Sequence, residues 1–387
     1  MIQEFKTYIP TKLLFGCGAI NKLAELPLPG KKAFIVIGSG KSTRRFGYLD
    51  KLTSILDSRG VESVIFDKIL PNPIKEHVME GAALCRKEGC DFVIGLGGGS
   101  PIDSSKSIAI MACNNGDYWD YINGGSAKGQ PITGGILPII AIPTTAGTGT
   151  EIDPWTVITH DEQKIGFGND QTFPRYAIVD PELMVSVPKM LTAYQGFDAF
   201  FHSSEGYIAN CSDPISDLYA LKSISLIYKS LAKAVADGSD LEARSDVALA
   251  STLAGMVEST SSCISQHSLA HGISALYPEI IHGEALVTIS LEYFKTFIND
   301  CPERFIAMAE AMTGKKTTDP NDFLKALEEM QIACGVNQIA LSAKGLKESD
   351  IPRVVENARY TMGALFSLDP RRISDEECIK LITNSYR

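Results

Sequence analysis

The chain has 387 residues, 44% hydrophobic and 21% charged, without a low-complexity tract. That length suits two or three domains, each with a full-sized core. Its 46 acidic and 36 basic residues leave a formal charge of −10 spread along the length, which excludes the concentrated basic face that a nucleic-acid partner needs. The nine cysteines are scattered and form no CxxC pair, which argues against a zinc knuckle or a redox dithiol. MIQEFKTYIP lacks a signal-peptide layout, and no apolar run approaches the ~20 residues of a membrane span. The expectation is a cytoplasmic protein with reduced thiols and no membrane role.

From the N-terminus, short β-branched runs alternate with amphipathic stretches. KKAFIVIGSG (31–40) reads as a buried strand entering a glycine turn, followed by a helical pattern over 44–60. VESVIFDKI (61–69) is a second strand, 74–89 a second helix, and CDFVIGLGGGS (90–100) a third strand ending in glycines. LPIIAIPTTAGTGTE (137–151) repeats the arrangement. Apolar strands alternating with helices predict a parallel sheet covered on both faces. Beyond about residue 186 the β runs fade, and apolar residues recur at helical spacing through 214–238, 243–263 and 302–312. The fold expected is α/β: a Rossmann-like parallel-sheet domain over 1–185, then an all-helical domain over 186–387, with a cleft between them.

Ligands of an open parallel sheet bind beyond the carboxyl ends of its strands, where these glycine turns fall. In GLGGGSPID, Gly97, Gly98 and Gly99 remove side chains where a backbone would approach a phosphate. Ser100 and Pro101 then open a helix whose N-terminus favours an anion. The stretch matches neither GxGxxG nor the Walker pattern. PTTAGTGTE (143–151) adds hydroxyls with little bulk at the end of another strand. Two such turns at one sheet edge predict a nucleotide site.

The chain holds six histidines, and His267, His271 and His282 fall within sixteen positions. His267 and His271 are four apart, as are Asp198 and His202 in GFDAFFHSSEGY, so each pair shares a helix face. Three imidazoles with one carboxylate suit a borderline divalent ion such as Zn²⁺ or Fe²⁺. Spacing alone does not choose four ligands from these five residues.

Together these stretches resemble the iron-containing (group III) alcohol dehydrogenases, butanol-dehydrogenase-like members included, a family related to glycerol dehydrogenase and dehydroquinate synthase. The resemblance runs through LPNP (70–73), GGGSPIDSSKSIA, PTTAGTGTE, VDPEL, GFDAFFHSSEGY and HSLAHGISALYPEIIHGEA. It implies a dehydroquinate synthase-like fold and hydride transfer between a nicotinamide cofactor and a small, mostly apolar alcohol or aldehyde. Its metal ligands fall on Asp198, His202, His267 and His282 and hold one Fe²⁺ or Zn²⁺; His271 stands near the nicotinamide as the proton relay. The pyrophosphate lies on Gly97 to Ser100, with Thr144, Thr145 and Thr148 on its other side. Asn72, Asp103 and Lys164 stand nearby, Asp103 orienting the nicotinamide end. After the first strand, GSGKSTRRFG carries no carboxylate to repel a 2′-phosphate. Gly38, Ser39 and Ser42, with Lys41 and Arg44 or Arg45, suit NADP(H) over NAD(H). Phe197, Phe201, Ile264 and Tyr277 are expected to line the substrate pocket. The resemblance also implies a homo-oligomer, a dimer or larger. The alternatives are a dehydroquinate synthase-like lyase and a polyol dehydrogenase.

Overall fold

The computed structural model describes residues 4–387. Six strands form one parallel sheet in the order β1-β8-β5-β4-β2-β3. In chain order they are β1 (Lys12–Phe15), β2 (Lys32–Gly38), β3 (Glu62–Ile69), β4 (Phe92–Gly97), β5 (Ile139–Pro143) and, after a hairpin of β6 (Trp155–His160) and β7 (Gln163–Gly168), β8 (Tyr176–Val179). Along β2 the side chains alternate between two cores. Phe34 and Val36 pack on one face, Ile35 and Ile37 on the other, and all four are fully buried. This is why the run reads as continuously apolar.

Short helices cover the sheet: α1 (Ser42–Arg45), α2 (Tyr48–Ser58), α3 (Lys75–Glu88) and α4 (Gly99–Cys113). The helical pattern expected over 44–60 is broken by Gly47, which adopts φ +73° as the N-cap of α2. The chain passes from β2 to β3 on one side and then to β4 on the other. That reversal opens a crevice beyond the carboxyl ends of β2 and β4, where the glycine turns lie.

From Lys189 onward the chain is helical: α5 (Lys189–Ile208), α6 (Pro214–Ala236), α7 (Leu241–Thr260), α8 (Ser265–Leu276), α9 (His282–Phe297), α10 (Pro302–Thr313), α11 (Asn321–Ala333), α12 (Ile351–Met362) and α13 (Asp375–Ser385). Helix α5 is central, buried almost without interruption from Thr192 to Ile208. Its aromatic neighbours Phe294 and Phe323 sit 6.1 Å from Phe201 and Phe200 respectively. Helices α7 and α8 meet at a bend of 107°, which brings the start of α8 back against α5. Among the described residues no single helix is long and apolar enough to cross a membrane.

Candidate metal centre and nucleotide cleft

Asp198 and His202 project from α5, His267 and His271 from α8, and His282 is the first residue of α9. Three ring nitrogens converge on one oxygen. Asp198 Oδ1 lies 3.8 Å from His202 Nε2, 3.5 Å from His267 Nε2 and 3.6 Å from His282 Nε2. Ligand atoms bound tetrahedrally at ~2.1 Å stand about 3.4 Å apart, so these spacings fit one divalent ion. The ligand atoms of Asp198, His267 and His282 all lie within 4.8 Å of one another. Asp198 Oδ1 and His267 Nε2 are buried without a hydrogen-bond partner, as expected of atoms reserved for an ion. The donor set fits Zn²⁺ or Fe²⁺.

The electrostatics agree with ligation. Burial pushes the Asp198 carboxyl up, but the imidazoles of His202 and His267 outweigh it and hold Asp198 below its ordinary value. Burial pulls His202 down to about 4 against the pull of Asp198, and takes His271 and His282 well below the usual range. These rings are neutral and their lone pairs are free to bind.

His267 differs, because Glu205 stands behind it. Glu205 is fully buried, and its Oε1 lies 2.6 Å from His267 Nδ1. Its Oε2 accepts the N–H groups of Ile264 and His267 at 2.8 and 3.4 Å. Burial pulls the His267 imidazole down, but Glu205 and Asp198 outweigh this and hold it at about 10. Glu205 therefore keeps a proton on Nδ1, while Nε2 faces the other three ligand atoms and would give up its own proton to a bound ion. Glu205 is not among the residues singled out from the sequence, although its place seven residues after Asp198 and three after His202 puts it on their helix face.

A cleft of about 660 Å³ runs from this cluster to the sheet edge, within the range of cofactor sites. Gly38, Ser39, Ser42, Asn72, Gly97, Gly98, Gly99, Ser100, Asp103, Thr144, Thr145, Thr148, Lys164 and His271 all line it. At its floor, α4 starts at Gly99 with no side chain capping its first N–H groups, which leaves them for an anion. A Cβ on Gly99 would stand 2.7 Å from Thr148 Cγ2, and one on Gly98 3.2 Å from Thr145 Oγ1. The glycines thus let the two turns close together. Lys164 Nζ donates to Asn72 Oδ1 at 3.3 Å, and burial draws the ammonium down to about 8 against Asp198 and Asp103. Asp103 has fixed partners: Oδ1 accepts the Thr150 hydroxyl at 2.7 Å and Oδ2 the Val157 N–H at 2.9 Å. Burial pushes its carboxyl up to about 6.

Two expectations need correcting. Phe197, Phe201, Ile264 and Tyr277 are not in the cleft lining. Positions 197 and 201 precede Asp198 and His202 by one residue, a rotation of about 100° on a helix, and so they turn into the aromatic core. Ile264 is buried in that core, and the Tyr277 hydroxyl bonds Asp350. The wall contains instead Trp155, Leu191, Glu258, Ile281, Met362 and Leu365. Arg44 is engaged elsewhere, its guanidinium donating to Asp67 Oδ2 at 2.8 Å. Lys41 and Arg45 are likewise outside the lining.

A crevice floored by an uncapped helix N-terminus and ending in a buried acid and imidazole cluster has the layout of an enzyme that brings an anionic cofactor up to a divalent ion. Iron-containing alcohol dehydrogenase is the family whose model matches residues 10–181, and the C-terminal model of the Fe-containing alcohol dehydrogenase family matches residues 192–386. The chain is 35% identical to 1,3-propanediol dehydrogenase of Klebsiella pneumoniae, with 99% of each covered. Its fold superposes on an archaeal halo-thermophilic alcohol dehydrogenase from a Red Sea brine pool with a TM-score of 0.94, 34% identity and 100% of each chain covered. For NADH-dependent butanol dehydrogenase A of Thermotoga maritima the TM-score is 0.89, at 27% identity, covering 100% of this chain and 99% of that one. The chain belongs to the iron-containing alcohol dehydrogenase family. It is a metal-dependent alcohol dehydrogenase, an oxidoreductase acting on small alcohols and aldehydes.

Proposed function

We propose that Asp198, His202, His267 and His282 hold one Fe²⁺ or Zn²⁺, and that the cleft from Ser39 to Lys164 holds NADP(H) in preference to NAD(H). The observation that carries this reading is the convergence of three Nε2 atoms on Asp198 Oδ1 at 3.5–3.8 Å, at the end of a cleft floored by an uncapped helix. When bound, the ion supplies Lewis acidity toward the substrate oxygen and the nicotinamide exchanges the hydride.

The residues of the chain do the rest. The first N–H groups of α4 at Gly99 and Ser100 cradle the pyrophosphate, and Thr144, Thr145 and Thr148 close over it. Among the described residues Lys164 is the only Lys or Arg in the lining. Backbone and hydroxyl groups therefore carry most of the phosphate recognition, and a lyase acting on a phosphorylated substrate lacks its anchors. Asp103 keeps Thr150 and Val157 in place beside the nicotinamide end. His271 is neutral, its Nδ1 has no partner, and its ring lies 4.9 Å from that of His282. It is placed to pass the alcohol proton toward solvent. At the adenosine end Gly38, Ser39, Gly40 and Ser42 line the cleft with no acid among them, which admits a 2′-phosphate. The apolar walls from Leu191, Ile281, Met362 and Leu365 suit a small, mostly apolar alcohol or aldehyde. Residues 1–185 and 186–387 act as the cofactor and metal domains of a cytoplasmic homo-oligomer.

The test is butyraldehyde reduction at 340 nm with NADPH and NADH side by side, on protein loaded with Fe²⁺ or Zn²⁺. NADPH should be preferred, and His267→Ala should lose both bound metal and turnover. A preference for NADH would overturn the 2′-phosphate reading and leave the metal site standing. Full activity of His267→Ala would overturn the metal site.

A further inference from the structure

Helix α7 ends beside the candidate ligands and carries an acid that none of these roles employs. Glu258 stands in its last turn and lines the cleft. Its carbonyl accepts the Trp155 indole N–H at 3.3 Å, which ties this turn to β6. Its Oε1 lies 3.4 Å from His202 Nε2, the same atom that faces Asp198 Oδ1 at 3.8 Å. A charged hydrogen bond between imidazole and carboxylate runs about 2.7–2.9 Å. Glu205 makes a contact of that kind with His267 Nδ1, at 2.6 Å. The Glu258 spacing is longer and matches instead the ~3.4 Å between two atoms that share one ion. It also matches the 3.5–3.8 Å that join Asp198 to the three imidazoles. The remaining acids of the lining are committed elsewhere. Asp103 holds Thr150 and Val157. Asp153 Oδ1 accepts the Lys106 ammonium at 3.0 Å and the Trp155 N–H at 2.7 Å.

We propose that Glu258 is a fifth ligand of the ion held by Asp198, His202, His267 and His282, and that it biases the site toward Fe²⁺ and against Zn²⁺. This rests on the metal reading of the same cluster. Glu258 reaches that cluster from α7, beside His202, so its oxygen joins the set from the cleft side. Zn²⁺ has no geometric demand beyond a tetrahedron, which one carboxylate and three imidazoles already complete. For such a set the intrinsic order of affinity places Zn²⁺ above Fe²⁺. A second carboxylate oxygen works against that order, because Fe²⁺ takes five or six ligands with oxygen among them. Five protein ligands still leave an octahedral ion one position for a substrate oxygen.

The experiment strips the full-length protein of metal and reloads it, without air, with Co²⁺, Fe²⁺ or Zn²⁺. It uses the wild type, Glu258→Gln and Glu258→Leu, with a melting temperature for each. The visible absorption of bound Co²⁺ reads the number of ligands, its bands strengthening as five ligands become four. Equilibrium dialysis reads the affinities for Fe²⁺ and Zn²⁺. Glu258→Leu should strengthen the Co²⁺ bands. It should also weaken Fe²⁺ binding about 10-fold or more relative to Zn²⁺, the scale on which single partners of a metal site act. Glu258→Gln keeps an oxygen but loses the charge, and should fall between the two; if the leucine variant does not fold, this comparison decides. Identical Co²⁺ spectra in all three proteins overturn the proposal. So does an equal loss of Fe²⁺ and Zn²⁺ with an unchanged spectrum, which would leave Glu258 acting only through His202. A wild type that binds none of the three ions would remove the metal reading itself, before any variant is compared.

Discussion

Glu205 touches the candidate metal centre only through His267, and that makes its contribution separable. Its carboxyl fixes the imidazole tautomer from 2.6 Å and at the same time holds the N–H groups that begin α8. Glu205→Gln keeps the shape but replaces one acceptor oxygen with a donor. Zinc affinity, measured by equilibrium dialysis, should fall about 10- to 100-fold, while turnover per bound metal changes much less. An unchanged affinity would show that His267 is oriented by packing alone. The two pairs, Asp198 with His202 and His267 with His271, were legible in the sequence, because groups four apart on a helix share one face whatever the tertiary structure. Their partners were not. Glu205 meets His267 across 62 residues of chain, and Glu258 reaches His202 from a different helix. No local pattern encodes either contact. The expected pocket residues Phe197 and Phe201 failed for a related reason: adjacency in sequence to Asp198 and His202 means a different face of the helix.

The start of α8, which aims both His267 and His271, is held by an acid outside the helix. Asp369 Oδ1 accepts the Ser265 N–H at 3.1 Å and the Tyr293 hydroxyl at 3.2 Å, tying α8 to α9. Burial pushes this carboxyl up to about 7, against those hydrogen bonds. In the unfolded chain it would titrate near ~3.9. Between these two values the folded state binds more protons than the unfolded one, so this group makes stability fall as pH rises and then levels off above about pH 7. Asp369→Asn cannot ionise. Its unfolding free energy relative to wild type, from urea denaturation, should be higher at pH 8 than at pH 5, by on the order of 2 kcal/mol. A difference that does not change with pH would show that Asp369 is ionised in the fold throughout. Among the elements, β2 to β5 were legible as apolar runs ending in turns, most of them glycine-rich. The β6–β7 hairpin was not, because its two-residue turn is Asp161–Glu162, with Asp161 at φ +52°. The Asn-Gly or Asp-Gly signal of such turns is missing. β1 and β8 are only four residues each, too short for a period-2 pattern to stand out.

Across the whole molecule, the sequence showed two textures but not how the halves meet, and that seam is built from glycines. Gly149, at φ +66°, and Gly255 of α7 touch backbone to backbone. A Cβ on Gly255 would lie 2.3 Å from Gly149 O, and one on Gly149 would lie 2.5 Å from Gly255 N. Nearby, a Cβ on Gly147 would meet Gln195 O at 2.7 Å. PTTAGTGTE therefore has two jobs: its threonines face the cleft, while Gly147 and Gly149 let the loop rest directly on α5 and α7. Shape at the seam thus sets the distance between the proposed cofactor cradle and the imidazole cluster, since His202 is on α5 and Thr148 adjoins Gly149. Gly255→Ala puts a methyl group where only backbone can yield. It should cost roughly 1–3 kcal/mol of stability, and it should raise the KM for the cofactor because the 144–150 turn must lift away from α7. Gly363→Ala is the matched control, with nothing within 4 Å of its Cβ and φ −59°, and should behave as wild type in both assays. The informative readout is the pair of measurements together. A Gly255→Ala enzyme that melts early but binds cofactor normally would mean the loop and helix move as one body. One that loses cofactor affinity as well would mean that the spacing of cradle and imidazole cluster in this fold is set by a glycine contact, twelve residues before His267 in the chain.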